Sequence, residues 1–180
     1  KPFAVHRLDR DTSGVMMFAL SRRIKDAVMK QWQTMVTERL YIAVAKNPQK
    51  RQPCAESGTI NTPIAFNAHK SGYVPLAQSS ARTLSAITHY RVVARGKTHT
   101  LFCLSLDTGR KNQIRAHLES IGYTICGDKS HGSKDNPFER LALHARTLSF
   151  SHPTTHASMR FEIPEPTNWE AFVKQQKPLT

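Results

Sequence analysis

Hydrophobic positions change their spacing within the first quarter of the chain, and this change predicts a helix followed by a strand. After Ser21, a residue type that caps helix N-termini, apolar residues recur every three or four positions as far as Met35. We therefore predict an amphipathic helix over residues 22–36. Across residues 40–45 larger aliphatic side chains alternate with tyrosine and alanine, which predicts a strand.

The second half of the chain contains two β-rich segments and a second helical pattern. Residues 86–94 and 99–106 are rich in β-forming residues and are separated by a short turn, so they predict an antiparallel pair. Gly109 precedes the second helical pattern. Gly122 closes it, because glycine readily adopts the backbone conformation that ends helices.

The remaining segments complete a mixed pattern. Residues 141–150 and 158–163 predict two further short strands, and residues 46–58 predict a basic loop that contains prolines. This balance predicts an α+β fold with a mostly antiparallel sheet. A length of 180 residues suits one hydrophobic core, so we expect residues 1–180 to form a single domain.

The charge balance points to a polyanionic partner. The chain has 26 Lys and Arg residues against 13 Asp and Glu residues, which gives a formal net charge of +13 and an isoelectric point of about 10.1. Nucleic acid is the commonest polyanion that such a surface attracts. Charge alone also fits a basic globular protein of unrelated function, so this observation needs support from specific residues.

Membrane and metal signals are weak in the sequence. No apolar run approaches the roughly 20 residues that a membrane helix needs, and we expect no signal peptide. Cys54, Cys103 and Cys126 are too widely spaced for a disulfide framework or a CxxC metal pair, which favours a reducing cytoplasm. His152 and His156 flank a proline and are expected in a turn, so we predict no metal site.

The densest polar cluster is residues 6–14, HRLDRDTSG, which precede an apolar run. A loop held against a sheet by such a run can position a reactive side chain. Asp9 could act as a covalent nucleophile or a general base if a cation keeps it ionised. A solvated turn with a capping aspartate is the alternative.

A second polar cluster opens the predicted helix near residue 110. Its sequence, residues 107–117, brings Gly-Arg-Lys to the helix start, where backbone N–H groups and cations could face a phosphate. A solvated basic face is the alternative.

Five segments in order resemble the RluA-like family of RNA pseudouridine synthases. The string at residues 6–14 resembles the family's HRLD-x-x-TSG motif, and Tyr41 falls where the family places its active-site tyrosine. Similar blocks follow at residues 108–118, 121–132 and 140–153. The resemblance implies the family's fold, a curved antiparallel sheet flanked by helices with a central active-site cleft.

The resemblance also implies roles for individual residues. Asp9 corresponds to the nucleophile, Arg115 to the cation that pairs with it, and Tyr41 to the aromatic residue that lies against the target base. The reaction isomerises uridine to pseudouridine and needs no metal, nucleotide or other cofactor. The target nucleotide must leave the base stack, and Arg7 corresponds to the residue that fills the vacated space. The remaining expected RNA contacts are Arg10, Arg110, Lys111 and Gln113.

The sequence also departs from the family pattern. Asn112 stands where many members have histidine, Thr124 replaces a proline, and His131 replaces a tyrosine. None of these changes removes a predicted catalytic residue. Only five residues precede His6, whereas members usually carry a strand-rich segment there, so we expect the N-terminal part of the family's domain to be absent.

The sequence therefore predicts an RNA pseudouridine synthase that acts as a monomer in the cytoplasm. Ribosomal RNA is favoured as substrate, and transfer RNA is possible. A non-catalytic RNA-binding relative with the same fold is the main alternative. A hydrolase using Asp9 with a histidine has no supporting motif, and a ribosomal structural protein would not need an ordered Asp, Tyr and Arg set. His6 and His144 are expected to support the structure rather than act as bases.

Overall fold

The computed structural model describes residues 1–76 and 79–176. Within these residues the chain forms three α-helices and twelve strands. The helices are α1 (Arg22–Met35), α2 (Gln113–Ser120) and α3 (Asn168–Lys174), and a 3₁₀ turn spans Lys129–His131. The strands are β1 (Phe3–Ala4), β2 (Ser13–Gly14), β3 (Phe18–Ala19), β4 (Val36–Lys46), β5 (Ser57–Asn61), β6 (Ala65–Phe66), β7 (Gly72–Tyr73), β8 (Ile87–Arg95), β9 (His99–Leu106), β10 (Thr124–Ile125), β11 (Leu143–Ser151) and β12 (Ser158–Glu162).

One large sheet organises these elements. Its strands run in the order β12-β11-β4-β9-β8-β5, and every neighbouring pair on this path is antiparallel. The two-residue strand β10 pairs with the end of β4, and β2 pairs with β11 in parallel. The prediction of an α+β fold with a mostly antiparallel sheet is confirmed.

Strand β4 lies at the centre of this sheet and fixes the position of Tyr41. Tyr41 is paired with Leu104 of β9 on one side and with Ala145 of β11 on the other. Because β4 is bonded along both edges, its backbone polar groups are satisfied by neighbouring strands and the strand is held firmly. A side chain on β4 is therefore a well-defined reference point for a site.

Two of the hydrophobic clusters in the described residues pack the helices against the sheet. The larger cluster packs α2 and α3 against the sheet, with Trp169 and Tyr123 completely buried. The smaller cluster packs α1 against β1, β3 and β11. Its buried members are Val5, Ala19, Val28, Met35, Leu148 and Phe150.

The predicted local structure is largely confirmed. Helix α1 ends at Met35, one residue earlier than expected, and the Ser21 hydroxyl accepts a hydrogen bond from the Ile24 N–H at 3.3 Å. The predicted pair appears as β8 and β9. Helix α2 is followed by Gly122 with φ of +92°, the left-handed conformation expected there. None of the helices in the described ranges is long and apolar enough to cross a membrane.

Candidate active site

A parallel contact between β2 and β11 holds the Asp9 loop on the sheet. Gly14 lies opposite Ala145, and the Val15 N–H donates to the Ala145 carbonyl at 2.8 Å. Gly14 has a φ of +114°, and a Cβ atom there would lie 2.0 Å from the Ala145 carbonyl oxygen. Only glycine therefore allows the loop to approach β11 this closely.

Two histidines support the Asp9 loop. The His144 Nε2 atom faces the Ile163 carbonyl at 3.0 Å and must carry the proton, so Nδ1 accepts from the Ser13 hydroxyl at 2.7 Å. The His6 Nε2 atom accepts from the Met17 N–H at 2.9 Å, and burial, together with the charge of Arg39, lowers the pKa of His6. Both rings therefore have the structural contacts that the sequence suggested.

Asp9 and Arg115 meet as predicted. The Arg115 Nη1 atom lies 3.3 Å from Asp9 Oδ2, and both side chains are largely buried. The same carboxylate oxygen accepts a second hydrogen bond, from Asn112 Nδ2 at 2.7 Å. One cation and one neutral donor therefore hold the same oxygen of the Asp9 carboxylate.

Arg115 is itself held by Asp128. The Arg115 Nε and Nη2 atoms donate to the two Asp128 oxygens at 2.7 and 2.6 Å, the two-point geometry that fixes a guanidinium plane. The Ser130 hydroxyl also accepts from Arg115 Nη2. Burial disfavours the charge on Arg115, but the contacts with Asp128 outweigh it and raise the pKa of Arg115 above its ordinary value.

Asp128 is almost completely buried, with 1% of its side chain exposed. Burial alone would raise its pKa, but hydrogen bonds from Arg115 and His131 and their charges lower it well below the usual range. The carboxylate is therefore ionised at neutral pH, and it anchors the guanidinium that faces Asp9.

A cavity of about 410 Å³ lies beside these groups. We refer to it as the Asp9 cavity. Its lining includes Asp9, Tyr41, Arg39, Lys111 and Asn112. It is large enough for a nucleoside-sized group and is bordered by hydrogen-bond donors and aliphatic side chains.

Tyr41 and Arg39 project into the Asp9 cavity from one face of β4, because residues two apart on a strand share a face. Burial raises the pKa of Tyr41, so its phenol keeps its proton at neutral pH. Arg39 Nη2 donates to the Leu106 carbonyl at 2.9 Å, and burial lowers the pKa of this guanidinium. The face thus offers the cavity an aromatic hydroxyl and a cation.

The predicted RNA-binding residues occupy different places. Arg7 and Arg110 are exposed and border the Asp9 cavity, as does the half-buried Lys111. Arg10 is exposed on the same loop but does not line the cavity. Three of these cations therefore surround the entrance.

Gln113, a predicted RNA contact, lines the Asp9 cavity, but its side-chain amide is bonded within the protein. Its side chain is buried, its amide nitrogen donates to the Ile87 carbonyl and the Thr88 hydroxyl, and its oxygen accepts from Thr108 and from the Arg110 N–H. Because the amide has two donors and two acceptor positions, all of them are used within the protein. Gln113 holds the loop before α2 and has no remaining group for RNA.

Sequence reasoning missed four residues around Asp9. Asn112 and His131 were noted only as departures from the family pattern, and Asp128 lay within a quoted block without a role. Arg39 could have been found from its spacing of two from Tyr41. Asp128 and His131 gave no comparable signal, because their contacts with Arg115 depend on how the turn after β10 folds back.

One further group of three side chains in the described part of the chain could hold a metal ion: His99, Cys126 and Asp135. The Gln176 oxygen accepts from the Thr98 and His99 N–H groups, so its amide nitrogen must donate to His99 Nδ1, at 3.0 Å. The proton of the ring is then on Nε2, which donates to Asp135 at 2.7 Å. As placed, the ring has no lone pair left for a metal.

Comparisons with known proteins agree with this architecture. A family model described as RNA pseudouridylate synthase matches residues 1–120. "Uncharacterized RNA pseudouridine synthase YjbO" of Bacillus subtilis is 33% identical over 175 residues, covering 94% of this chain and 58% of the relative. "Ribosomal large subunit pseudouridine synthase D" of Pseudomonas aeruginosa is 32% identical over 179 residues, covering 92% of this chain and 53% of the relative.

The fold is also similar to that of a solved human protein, "RNA Pseudouridylate Synthase Domain Containing 1". The TM-score is 0.76 at 23% identity, covering 92% of this chain and 70% of that chain. The chain spans about half the length of the curated relatives it matches.

Proposed function

Because the chain belongs to the RNA pseudouridylate synthase family, we propose that it isomerises uridine in RNA to pseudouridine with Asp9 as nucleophile. The single observation that best supports this role is the asymmetry of the Asp9 carboxylate. Arg115 and Asn112 both donate to Oδ2, whereas Oδ1 accepts no hydrogen bond from the described residues. One oxygen orients the group, and the other is available to attack.

The reaction breaks the bond between N1 of uracil and C1′ of ribose, turns the base, and joins C5 to C1′. C5 releases its hydrogen as a proton and N1 takes one up, so the composition of the nucleotide does not change. Asp9 lies on the wall of a cavity large enough for the base, and Arg115 pairs with it and orients it. Tyr41 supplies an aromatic face for stacking and a protonated phenol that can exchange a proton with the base. We assign Asp9, Tyr41 and Arg115 as the catalytic set.

The basic residues around the cavity suit an RNA strand that presents a flipped nucleotide. Arg7 is exposed at the cavity edge, where it can fill the gap left in the base stack. Arg110 and Lys111 border the cavity and Arg10 is exposed on the Asp9 loop, so we propose that these cations contact phosphates of the strand. One relative is called a ribosomal large subunit enzyme, so we propose ribosomal RNA as the first substrate and transfer RNA as the second.

Tritium release tests this proposal directly. RNA transcripts carrying tritium at uracil C5 lose it when C5 becomes bonded to ribose. We expect the wild-type chain to release tritium and Asp9→Asn to lower the rate by about a thousandfold or more, since it removes the nucleophile with little change of shape. Asp11→Asn, in the same loop but exposed, is the matched control and should remain active.

The outcomes separate the candidate functions. Release from ribosomal transcripts alone, or from transfer RNA alone, would identify the substrate class. Binding of RNA by the wild-type chain without any release would contradict the proposal and favour a non-catalytic RNA-binding relative. Equal rates for Asp9→Asn and wild type would show that another residue is the nucleophile.

A further inference from the structure

A closed ring of hydrogen bonds links the proposed nucleophile to groups far from it in the sequence. Its members are Asp9, Gly72, Asn112, Arg115, Asp128 and His131. Two of the positions at which the chain departs from the family pattern, Asn112 and His131, belong to this ring.

One half of the ring runs through the backbone of Gly72. Asn112 donates from Nδ2 to Asp9, and its Oδ1 accepts from the Gly72 N–H at 3.2 Å. The Gly72 carbonyl then faces His131 Nε2 at 3.0 Å. This half connects the nucleophile to His131 through a single peptide segment of the β6–β7 hairpin.

The other half runs through Asp128. The His131 Nδ1 atom lies 3.3 Å from Asp128 Oδ1 and 3.2 Å from Asp128 Oδ2. Arg115 donates to both oxygens of Asp128 and also to Asp9, which closes the ring of hydrogen bonds. His131 is therefore the residue at which the two halves meet.

Both ring nitrogens of His131 face acceptors, a carboxylate on one side and a carbonyl on the other. The Ser130 hydroxyl also lies 3.2 Å from Nδ1, but it donates its proton to Asp128 Oδ1 at 3.0 Å and so offers Nδ1 only a lone pair. A neutral imidazole carries one N–H group, whereas an imidazolium carries two. Only the protonated form can donate in both directions. Since the side chain is 5% exposed, water cannot readily replace a missing partner, and loss of the proton opens the ring on one side.

We propose that His131 is a positioning residue whose imidazolium form closes this ring and so holds Arg115 and Asp9 in the reactive arrangement. This inference rests on the proposed function. A tyrosine at this position, as in many family members, has one hydroxyl and no charge, so it cannot bridge Asp128 and Gly72 in the same way. The dependence on a proton is therefore specific to chains that carry histidine here.

The expected direction of the pH dependence follows from the groups around the ring. Burial lowers the pKa of His131, but the hydrogen bonds to Asp128 and Gly72 and the charge of Asp128 outweigh burial and the opposing charge of Arg115. The pKa of His131 therefore lies above its ordinary value. Glu119 of α2 also interacts with this charge. The ring is closed below the pKa of His131 and opens as pH rises through it, so the rate should fall on the alkaline side.

Single-turnover tritium release between about pH 6 and 10 measures this dependence, since histidine titrates within that range. Wild type should show a rate that falls about tenfold with rising pH.

The variants at residue 131 test whether this fall depends on the histidine. His131→Gln and His131→Tyr should be about tenfold slower than wild type at neutral pH, and their rates should not fall with rising pH. Their RNA affinity should stay within about twofold of wild type. His156→Gln, at an exposed turn, should match wild type. Persistence of the fall in His131→Gln, or a loss confined to affinity, would overturn the inference.

The ¹⁵N NMR spectrum of the histidine rings tests the same inference without RNA. We expect both nitrogens of His131 to be protonated at neutral pH in the wild-type chain, and His131→Gln identifies the signals. If the imidazole of His131 carried a single proton at neutral pH, the inference would be wrong even if the enzyme is active. If no tritium is released but His131 is doubly protonated, the proposed function would be contradicted. The closed ring of hydrogen bonds would still be supported.

Discussion

In the described residues two histidine–aspartate pairs with buried imidazole rings look alike but differ in the partner of the second ring nitrogen. His131 lies against Asp128, and His99 lies against Asp135, which follows Asp128 on the same turn after β10. In both pairs one ring nitrogen contacts a carboxylate. The second nitrogen of His131 faces a carbonyl, whereas the second nitrogen of His99 faces the amide nitrogen of Gln176 and the hydroxyl of Thr98.

This one difference sets the role of each ring. A carbonyl is an acceptor, so His131 needs a second proton to satisfy it, whereas the amide nitrogen is a donor and requires an unprotonated nitrogen. A ring with a single N–H group can therefore make the contacts of His99 with Asp135 and Gln176, and Phe172 packs against that ring with the centroids 5.0 Å apart. The comparison indicates that the partner of the second nitrogen, more than the carboxylate, decides whether such a pair can respond to pH.

The largest expected contrast comes from removing each carboxylate. In Asp128→Asn, Arg115 and His131 lose the buried anion between them, so we expect a rate loss of about a hundredfold or more and a stability loss of about 3 kcal/mol. In Asp135→Asn, His99 can still donate to the amide oxygen, so stability should fall by about 1 kcal/mol. Urea unfolding and single-turnover tritium release measure both effects.

The Asp135→Asn variant also serves as the control for that experiment, because it changes the same chemical group outside the proposed site. Its rate should stay within about twofold of wild type, since the Asp135 side chain pairs with His99 and Lys46 and not with Arg115 or His131. Similar rate losses in the two variants would show that the effect reflects general destabilisation, and the distinction between the pairs would then be wrong.

A smaller effect is expected from exchanging the partner of His99. A double variant, Gln176→Glu with Thr98→Val, replaces the amide donor that faces Nδ1 with an acceptor and removes the hydroxyl that lies 2.8 Å from Nδ1. The new carboxylate can still accept from the backbone N–H groups of residues 98 and 99. We expect the His99 ring to become doubly protonated at neutral pH and to resemble His131. The ¹⁵N ring signals report this change directly. A ring that stays singly protonated in this variant would refute the rule drawn from the two pairs.

Much of the fold could be predicted because its signals are local. The helical spacing before Met35 and the alternation in β4 depend on neighbouring residues only. The contact of Gly14 with Ala145 could not be predicted from the sequence, because it joins residues 131 positions apart and depends on the register of β11. Helix α3 has seven residues, too few for a clear period, and it was not predicted.

The candidate site divides in the same way. Asp9 and Arg115 could be predicted to pair, because each belongs to a segment that resembles a motif of the family. Gln113 was assigned to RNA because it opens a basic helix, yet Thr108 and the backbone of Ile87 turn its amide inward. His131 could not be given a role from the sequence. Its second partner is the backbone carbonyl of Gly72, and a backbone group gives no signal in the sequence.

The smallest expected effect is the response of the His99 cluster to zinc. Metal binding requires a thiolate at Cys126 and a free lone pair on His99, but burial raises the pKa of Cys126 to about 12 and His99 Nε2 holds a proton against Asp135. The ammonium of Lys46, 3.7 Å from Asp135, adds a further positive charge. We therefore expect excess Zn²⁺ to change the melting temperature by less than about 1 °C in wild type and in Cys126→Ala alike. Equilibrium dialysis provides the second readout. One tightly held zinc per chain that Cys126→Ala removes would show that the cluster rearranges into a metal site. The difference between the two histidine–aspartate pairs would then depend on more than their hydrogen bonds.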